Sequence, residues 1–179
     1  SGKTLADLNG QEFLGEYLGA TDPMGADKPN PVSHVAYGYA TQVVCLNEDG
    51  TIEKVVAAHD VGRAINPAMC VAQTQGAVQM GCGAALREQI TISPDGRSVN
   101  SLAKYHLMNA PDLPEIQVEL IQDGLSQEGP FGAKSIGEVG MAPVAAVVAG
   151  AVNQALDADL QVLPMDPDRV MAYLHERGN

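Results

Sequence analysis

Two runs rich in β-branched and aromatic residues, His34–Leu46 (HVAYGYATQVVCL) and Thr51–His59 (TIEKVVAAH), flank the tetrad Asn47-Glu48-Asp49-Gly50. Nothing else in the sequence constrains the fold as tightly. The Asp-Gly pair offers the positive φ that a tight connection needs, so the two runs are expected to fold back as an antiparallel hairpin. A sheet begun this way must bury one face. With two Phe and no Trp among 179 residues, 45% of them apolar, the core must come from Ala, Val, Leu, Ile and Met. Such residues suit helices packed closely on a sheet.

The helices have legible starts. Asn66 can cap and Pro67 can open a helix that should run to about Glu88. Its small residues, among them Gly76, Ala77, Gly81 and Gly83, would let a neighbouring backbone or a ligand approach. A turn at Ser93–Gly96 leads into an extended or mixed stretch, Val99–Met108, and Glu115–Gln122 alternates like a strand with one wet face. A Gly-rich loop, Asp123–Gly140, precedes a helix from about Pro143 to Leu156. That helix is apolar almost all round and is therefore expected to be buried. Asp166 and Pro167 repeat the cap logic for a short tail helix. Near the start, a short helix is expected around Gln11–Leu18, followed by an irregular connection, Gly19–Pro31. The predicted class is α+β: one domain over 1–179, with a hairpin-based mixed sheet packed against two main helices. Within it, 1–33 is an irregular lead-in, 34–157 the core and 158–179 a tail helix.

Charge and sulfur narrow the chemistry. Twenty-two acidic against ten basic residues give a formal net charge of −12, which argues against general binding of phosphate backbones. An anionic cofactor stays possible, because backbone N–H groups at helix starts and turns can hold phosphate. Cys45, Cys70 and Cys82 form no CxxC and cannot all pair within one chain; they read as buried thiols of a reducing compartment. His34, His59, His106 and His175 lie far apart, so no protein-ligated metal site is expected. The opening Ser1-Gly2-Lys3 reads as no signal peptide, and the apolar run Met141–Leu156 falls short of a bilayer span. Without an initiator Met, the chain is expected to be a piece of a longer polypeptide.

Three segments carry candidate chemistry: His59–Pro67 (HDVGRAINP), Gln73–Ala77 continuing to Gly81-Cys82-Gly83, and Gly132–Gly140 (GAKSIGEVG). The glycines at 76, 81 and 83 lack the Lys-Ser/Thr of a P-loop, so by itself that helix reads as a packing helix. His59 and Asp60 are strand neighbours pointing to opposite faces with no nucleophile signature nearby, and they read as a satisfied structural pair. Glu138 sits between glycines just ahead of an apolar helix. The helix dipole favours its ionised form and burial its neutral form, and a balance of the two suits a general base. A loop Glu that merely caps the helix start fits the same residues.

Taken together and in this order, the segments resemble the last part of the molybdenum-binding subunit of the xanthine dehydrogenase and aldehyde oxidase family of molybdenum hydroxylases. The resemblance runs from about His34 to Leu156 and is weakest before Gly19 and after Asp157. Its most specific part is Lys134-x-x-Gly137-Glu138 followed by an Ala-rich helix. The resemblance implies that Glu138 is the catalytic base beside the molybdenum and that Gln73 hydrogen-bonds the cofactor. It also implies cofactor-binding roles for Gly76, Lys134, Ser135 and Gly137. Two positions depart from the family pattern. Met80 stands where a second Gln is common, with Gln79 shifted by one, and Val139-Gly140 replaces the two prolines of many eukaryotic members.

The cofactor so implied is molybdenum-molybdopterin, in its cytosine dinucleotide form. The implied reaction adds a water-derived oxygen to xanthine, hypoxanthine or a related N-heterocycle. Electrons then leave through iron–sulfur clusters and FAD on partner subunits or domains. The expected partners are those subunits, the remainder of the molybdenum subunit and a small-molecule substrate, with neither nucleic acid nor membrane, in the cytoplasm. Alternatives are an aldehyde-oxidising member of the family and a non-catalytic cofactor-binding or assembly domain. The isolated chain is expected to be inactive.

Overall fold

The computed structural model describes residues 2–98 and 101–178. The chain divides into two compact units, Ser1–Val35 and Ala36–Asn179. Among the described residues of the first, the only helical element is a three-residue 3₁₀ turn, Ala6–Leu8, so the helix expected at Gln11–Leu18 does not form. Gly15 interrupts the segment, and Gly10 and Gly19 flank it. Phe13, Leu14 and Leu18 are 71%, 97% and 87% exposed, and so short a helix without packing cannot repay its nucleation cost. A loop is closed by Asp22, whose carboxylate accepts from Val32 N and pairs with Lys28.

The second unit holds, in chain order, β1 (Tyr39–Leu46), β2 (Ile52–Asp60), α1 (Pro67–Leu86), a single turn α2 (Leu102–Tyr105), β3 (Glu115–Ile121), α3 (Val144–Leu156) and α4 (Pro167–Glu176). β1 and β2 form the expected hairpin, with Gly50 at φ +84° and its N–H donating to Asn47 O. β1 starts five residues later than its composition suggests. Tyr39 already pairs with Asp60, the last residue of β2, and beyond it Val61 N turns away to bond Ile121 O. β3 lies parallel to β2, giving a mixed three-stranded sheet in the order β1-β2-β3. Of the stretch read as extended or mixed from Val99 to Met108, Val99 and Asn100 lie outside the described residues. The rest is mixed, the turn α2 followed by irregular chain.

The caps form as the sequence indicates: Asn66 Oδ1 accepts from Met69 N at 3.2 Å, and Asp166 Oδ1 from Arg169 N at 3.0 Å. Helix α1 stops at Leu86, short of Glu88, where Arg87 N and Glu88 N both fold back onto Gly83 O. The core joins Val55 and Ala57 of β2 to Val78, Cys82 and Ala85 of α1 and to Val144 and Val148 of α3. At the crossing of α1 and α3, a Cβ on Gly81 would stand 2.3 Å from Val144 Cβ, so only glycine lets the helices meet there. The expectation that α3 is buried all round fails. Only Val144 and Val148 are fully buried, and Ala146 and Gly150 are exposed, because α1 and β1 cover one side of the helix alone.

Candidate cofactor site

The site grows from the place where β2 ends. Gly62, at φ +60°, turns the chain, and a Cβ there would meet Gly132 O at 2.3 Å. That close approach stitches residues 61–63 to 132–134: Arg63 N donates to Gly132 O at 3.1 Å and Lys134 N to Val61 O at 2.9 Å. The Asp60 carboxylate locks the stitch, accepting from Gly62 N and pairing with the Lys134 ammonium at 2.5 Å. The hydrogen bond from Lys134 holds the Asp60 carboxyl below its usual range. Lys134, expected at the cofactor, thus directs its ammonium to Asp60 and lies 5.8 Å from the Tyr39 ring centre.

Beyond Lys134 the chain is delivered to α1. Gln73 Nε2 donates to Gly137 O at 2.7 Å, joining residues 64 positions apart. Gly140 is buried, and a Cβ on it would lie 2.9 Å from Ala77 Cβ and 3.4 Å from the His59 ring. Between these two contacts the turn closes on itself through Met141 N and Glu138 O at 3.0 Å. Glu138 therefore stands one residue from the Gln73 contact, and both side chains are exposed. The burial foreseen for Glu138 is not supplied by this chain. Gly76, one turn along α1 from Gln73, and Gly137 are exposed too, with open space within 4 Å of where a Cβ would be. Ser135 is exposed, and its carbonyl packs against Gly38.

Sequence reasoning missed what lies beneath this surface. His59 and Thr74 are fully buried and Gln42 is 8% exposed. Both nitrogens of His59, Thr74 Oγ1 and Gln42 Oε1 have no hydrogen-bond partner among the described residues. Each such atom costs about 1–3 kcal/mol in a core. His59 is thus not the satisfied structural residue expected; of the pair, only Asp60 found a partner. The alternation of β2 gave the one available signal, since it sends Val55, Ala57 and His59 to the same face. Gln79, the shifted glutamine, is spent on Met108 O at 3.2 Å, and Met80 is exposed. All three cysteines are free thiols; only Cys82 is fully buried, and burial pushes it up to about 11.

Burial also pushes the His59 imidazole below its ordinary value of 6.5. The folded form holds it neutral, whereas the unfolded chain gains the proton once the pH drops past that value. Its contribution to stability is complete above pH 6.5 and is lost as pH falls from there toward the folded value. In the full-length protein, unfolding temperature measured from roughly pH 8 to 5 should decline, by up to about 1.4 kcal/mol per pH unit of stability. His59→Gln should remove that part of the slope. Parallel profiles for the two proteins would refute the assignment.

The residues at the surface suit a pterin cofactor. Two glycines leave room for close approach, and Gln73 Oε1 has no partner among the described residues. A lone carboxylate stands next to them. Among the described residues no three His, Cys, Asp or Glu side chains gather as a metal cage, so the local donors are amides, carbonyls and Glu138. The family comparison agrees with this chemistry. Residues 6–114, more than half of the chain, match the molybdopterin cofactor-binding domain. The chain belongs to that family.

The family match takes in the lead-in, where the resemblance was expected to be weakest, and includes Gln73 and Gly76; it ends before Lys134–Glu138. The chain is 32% identical over 130 residues to the xanthine dehydrogenase molybdenum-binding subunit of Escherichia coli O157:H7, covering 72% of this chain and 17% of that protein. It is 28% identical over 181 residues to the 6-hydroxypseudooxynicotine dehydrogenase complex subunit gamma of Paenarthrobacter nicotinovorans, covering 90% of this chain and 23% of that one. Among solved structures, quinoline 2-oxidoreductase from Pseudomonas putida 86 superimposes with a TM-score of 0.63 at 27% identity, over 70% of this chain and 16% of that one. The chain thus spans about a fifth of the length of these curated relatives.

Proposed function

We propose that this chain forms part of the molybdenum subunit of a hydroxylase that oxidises a purine, xanthine or hypoxanthine, or a related N-heterocycle, with Glu138 as general base. The observation that carries the reading is the Gln73–Gly137 hydrogen bond. It draws the residue taken as a cofactor contact and the residue taken as the base onto one open surface. The relatives named for xanthine and quinoline, both nitrogen heterocycles, support the substrate class.

In the net reaction a C–H bond of the heterocycle becomes C–OH, the oxygen coming from water, and two electrons and two protons leave. A bound molybdenum-pterin supplies the two-electron chemistry. What this chain adds is positional. Gln73, Gly76, Lys134, Ser135 and Gly137 would hold the cofactor, with the ion pair of Lys134 and Asp60 bracing their loop. A carboxylate oxygen of Glu138 takes one of the released protons, and because the Glu138 side chain bonds no described residue, it is free to do so. We further infer that the cofactor is the cytosine dinucleotide form. Iron–sulfur and FAD partners, together with the rest of the molybdenum subunit, would complete a cytoplasmic enzyme, and the isolated chain would be inactive. The half-covered α3 supports a role for that remainder. No helix among the described residues is long and apolar enough to cross a membrane.

The reading is tested on the full-length protein by metal mass spectrometry and xanthine-dependent dye reduction. One molybdenum per chain with turnover is the expected result. A metal-free, inactive protein would instead favour the non-catalytic assembly domain. Gln73→Ala should lower molybdenum content severalfold, by roughly the loss that a supporting hydrogen bond to a metal site brings, about 10-fold or more in affinity. Unaltered molybdenum would remove Gln73 from the cofactor site.

A further inference from the structure

The turn that carries Glu138 is held at both ends by glutamine side chains from different elements. At its start, Gln73 of α1 donates Nε2 to Gly137 O at 2.7 Å. At its end, Gln42 of β1 donates Nε2 to Gly140 O, also at 2.7 Å, across 98 residues of sequence. Glu138 and Val139 are all that lies between. The first glutamine is exposed and belongs to the surface already described. The second is buried, sits at the back of the turn and faces no open surface.

We infer that Gln42 is a positioning residue for Glu138, anchoring the turn from the core side through the Gly140 carbonyl. The inference rests on the reading of Glu138 as the base. Three features make the anchor more than an incidental contact. A neutral polar side chain has been placed on the core face of β1, opposite Ala57 and diagonal to His59, where an apolar residue would pack without an unsatisfied atom. Gly140 is packed so tightly on Ala77 and His59 that it has no side chain of its own to fix it, and its carbonyl is the handle left. The hydrogen bond is also enclosed, so water does not compete for it. A one-ångström drift of a catalytic group is enough to cost about 10²-fold in rate.

The test uses the full-length, molybdenum-loaded protein and four variants. Gln42→Met keeps the shape and removes the donor. Gln42→Asn keeps an amide one methylene too short to reach. In Gln42→Glu burial favours the neutral acid, whose O–H can again donate to Gly140 O. Glu138→Gln serves as reference. Hydrogen exchange is read by mass spectrometry at the amides of residues 138–141, where Met141 N–H reports the turn directly. In Q42M and Q42N these amides should exchange at least about ten-fold faster. The same two variants should show kcat on xanthine lowered by about 10²-fold, with KM and molybdenum content unchanged. Q42E should recover much of both losses. Should Q42M not fold, Q42N decides.

Wild-type exchange and kcat in a folded Q42N would overturn the inference, as would a failure of Q42E to recover either loss. If E138Q keeps full turnover, the reading of Glu138 fails instead, and altered exchange in Q42N would show the anchor without a catalytic consequence.

Discussion

Glu138→Gln in the full-length, molybdenum-loaded protein should lower turnover by roughly 10²–10⁴-fold, the usual worth of a general base, while leaving molybdenum content unchanged. The substitution is unusually clean. The Glu138 carboxylate bonds no described residue, and the turn is held by backbone atoms: Glu138 O accepts from Met141 N, and the neighbouring carbonyls accept from Gln73 and Gln42. Glutamine preserves the shape and removes only the capacity to take a proton. Because the position is exposed, stability should change by no more than about 0.5 kcal/mol. Turnover, metal content and unfolding temperature measured on one preparation separate the roles. Undiminished turnover excludes Glu138 as the base. Loss of molybdenum would make it a cofactor contact.

The second large effect is expected in the core. Gly81→Ala places a methyl group 2.3 Å from Val144 Cβ and 2.8 Å from both of its methyls. Those atoms sit at the root of a short, stiff side chain on the first residue of α3, so no flexible tip can swing aside. The helices must part, and the cost should reach the upper end of the range for overpacking, about 3 kcal/mol. Because α3 follows the Glu138 turn directly, cofactor retention should fall with stability. Exchanging the bulk, as Gly81→Ala with Val144→Gly, removes the collision. A double-mutant cycle on the unfolding of the full-length protein should then give a favourable coupling of about 2 kcal/mol. Additive losses would show that the two positions do not share the contact.

Much of this architecture follows from short-range rules that act within a few residues. The Asp49-Gly50 turn, the Asn66-Pro67 and Asp166-Pro167 helix starts and the alternation of Glu115–Ile121 each depend on local backbone geometry, and each appears in the structure. The helix expected at Gln11–Leu18 and the full burial of α3 failed for the opposite reason. Apolar periodicity states what a segment is able to bury, not whether a partner is there to bury it.

The site divides the same way. The glycines around Glu138 in Gly132–Gly140 leave a mark in one dimension, but by themselves they fit a helix-capping loop equally, and Gln73 was marked by the family resemblance alone. Lys134 is different. The resemblance implies a place for it at the cofactor, and its ammonium pairs with Asp60, 74 residues away in sequence, a contact that no local pattern announces. Gln42 gave no sign, and His59 only the alternation that sets it on the face of Val55 and Ala57, since a polar residue in a strand reads as a solvent-facing one until the sheet's covered face is known. What the amino-acid order determined by itself is the set of local turns, caps and periods, whose energies involve neighbours along the chain. Only the packing of α1 and α3 on the sheet decided which polar groups are shut away from water and which carbonyls they reach, because desolvation depends on atoms that are adjacent in space and distant in sequence.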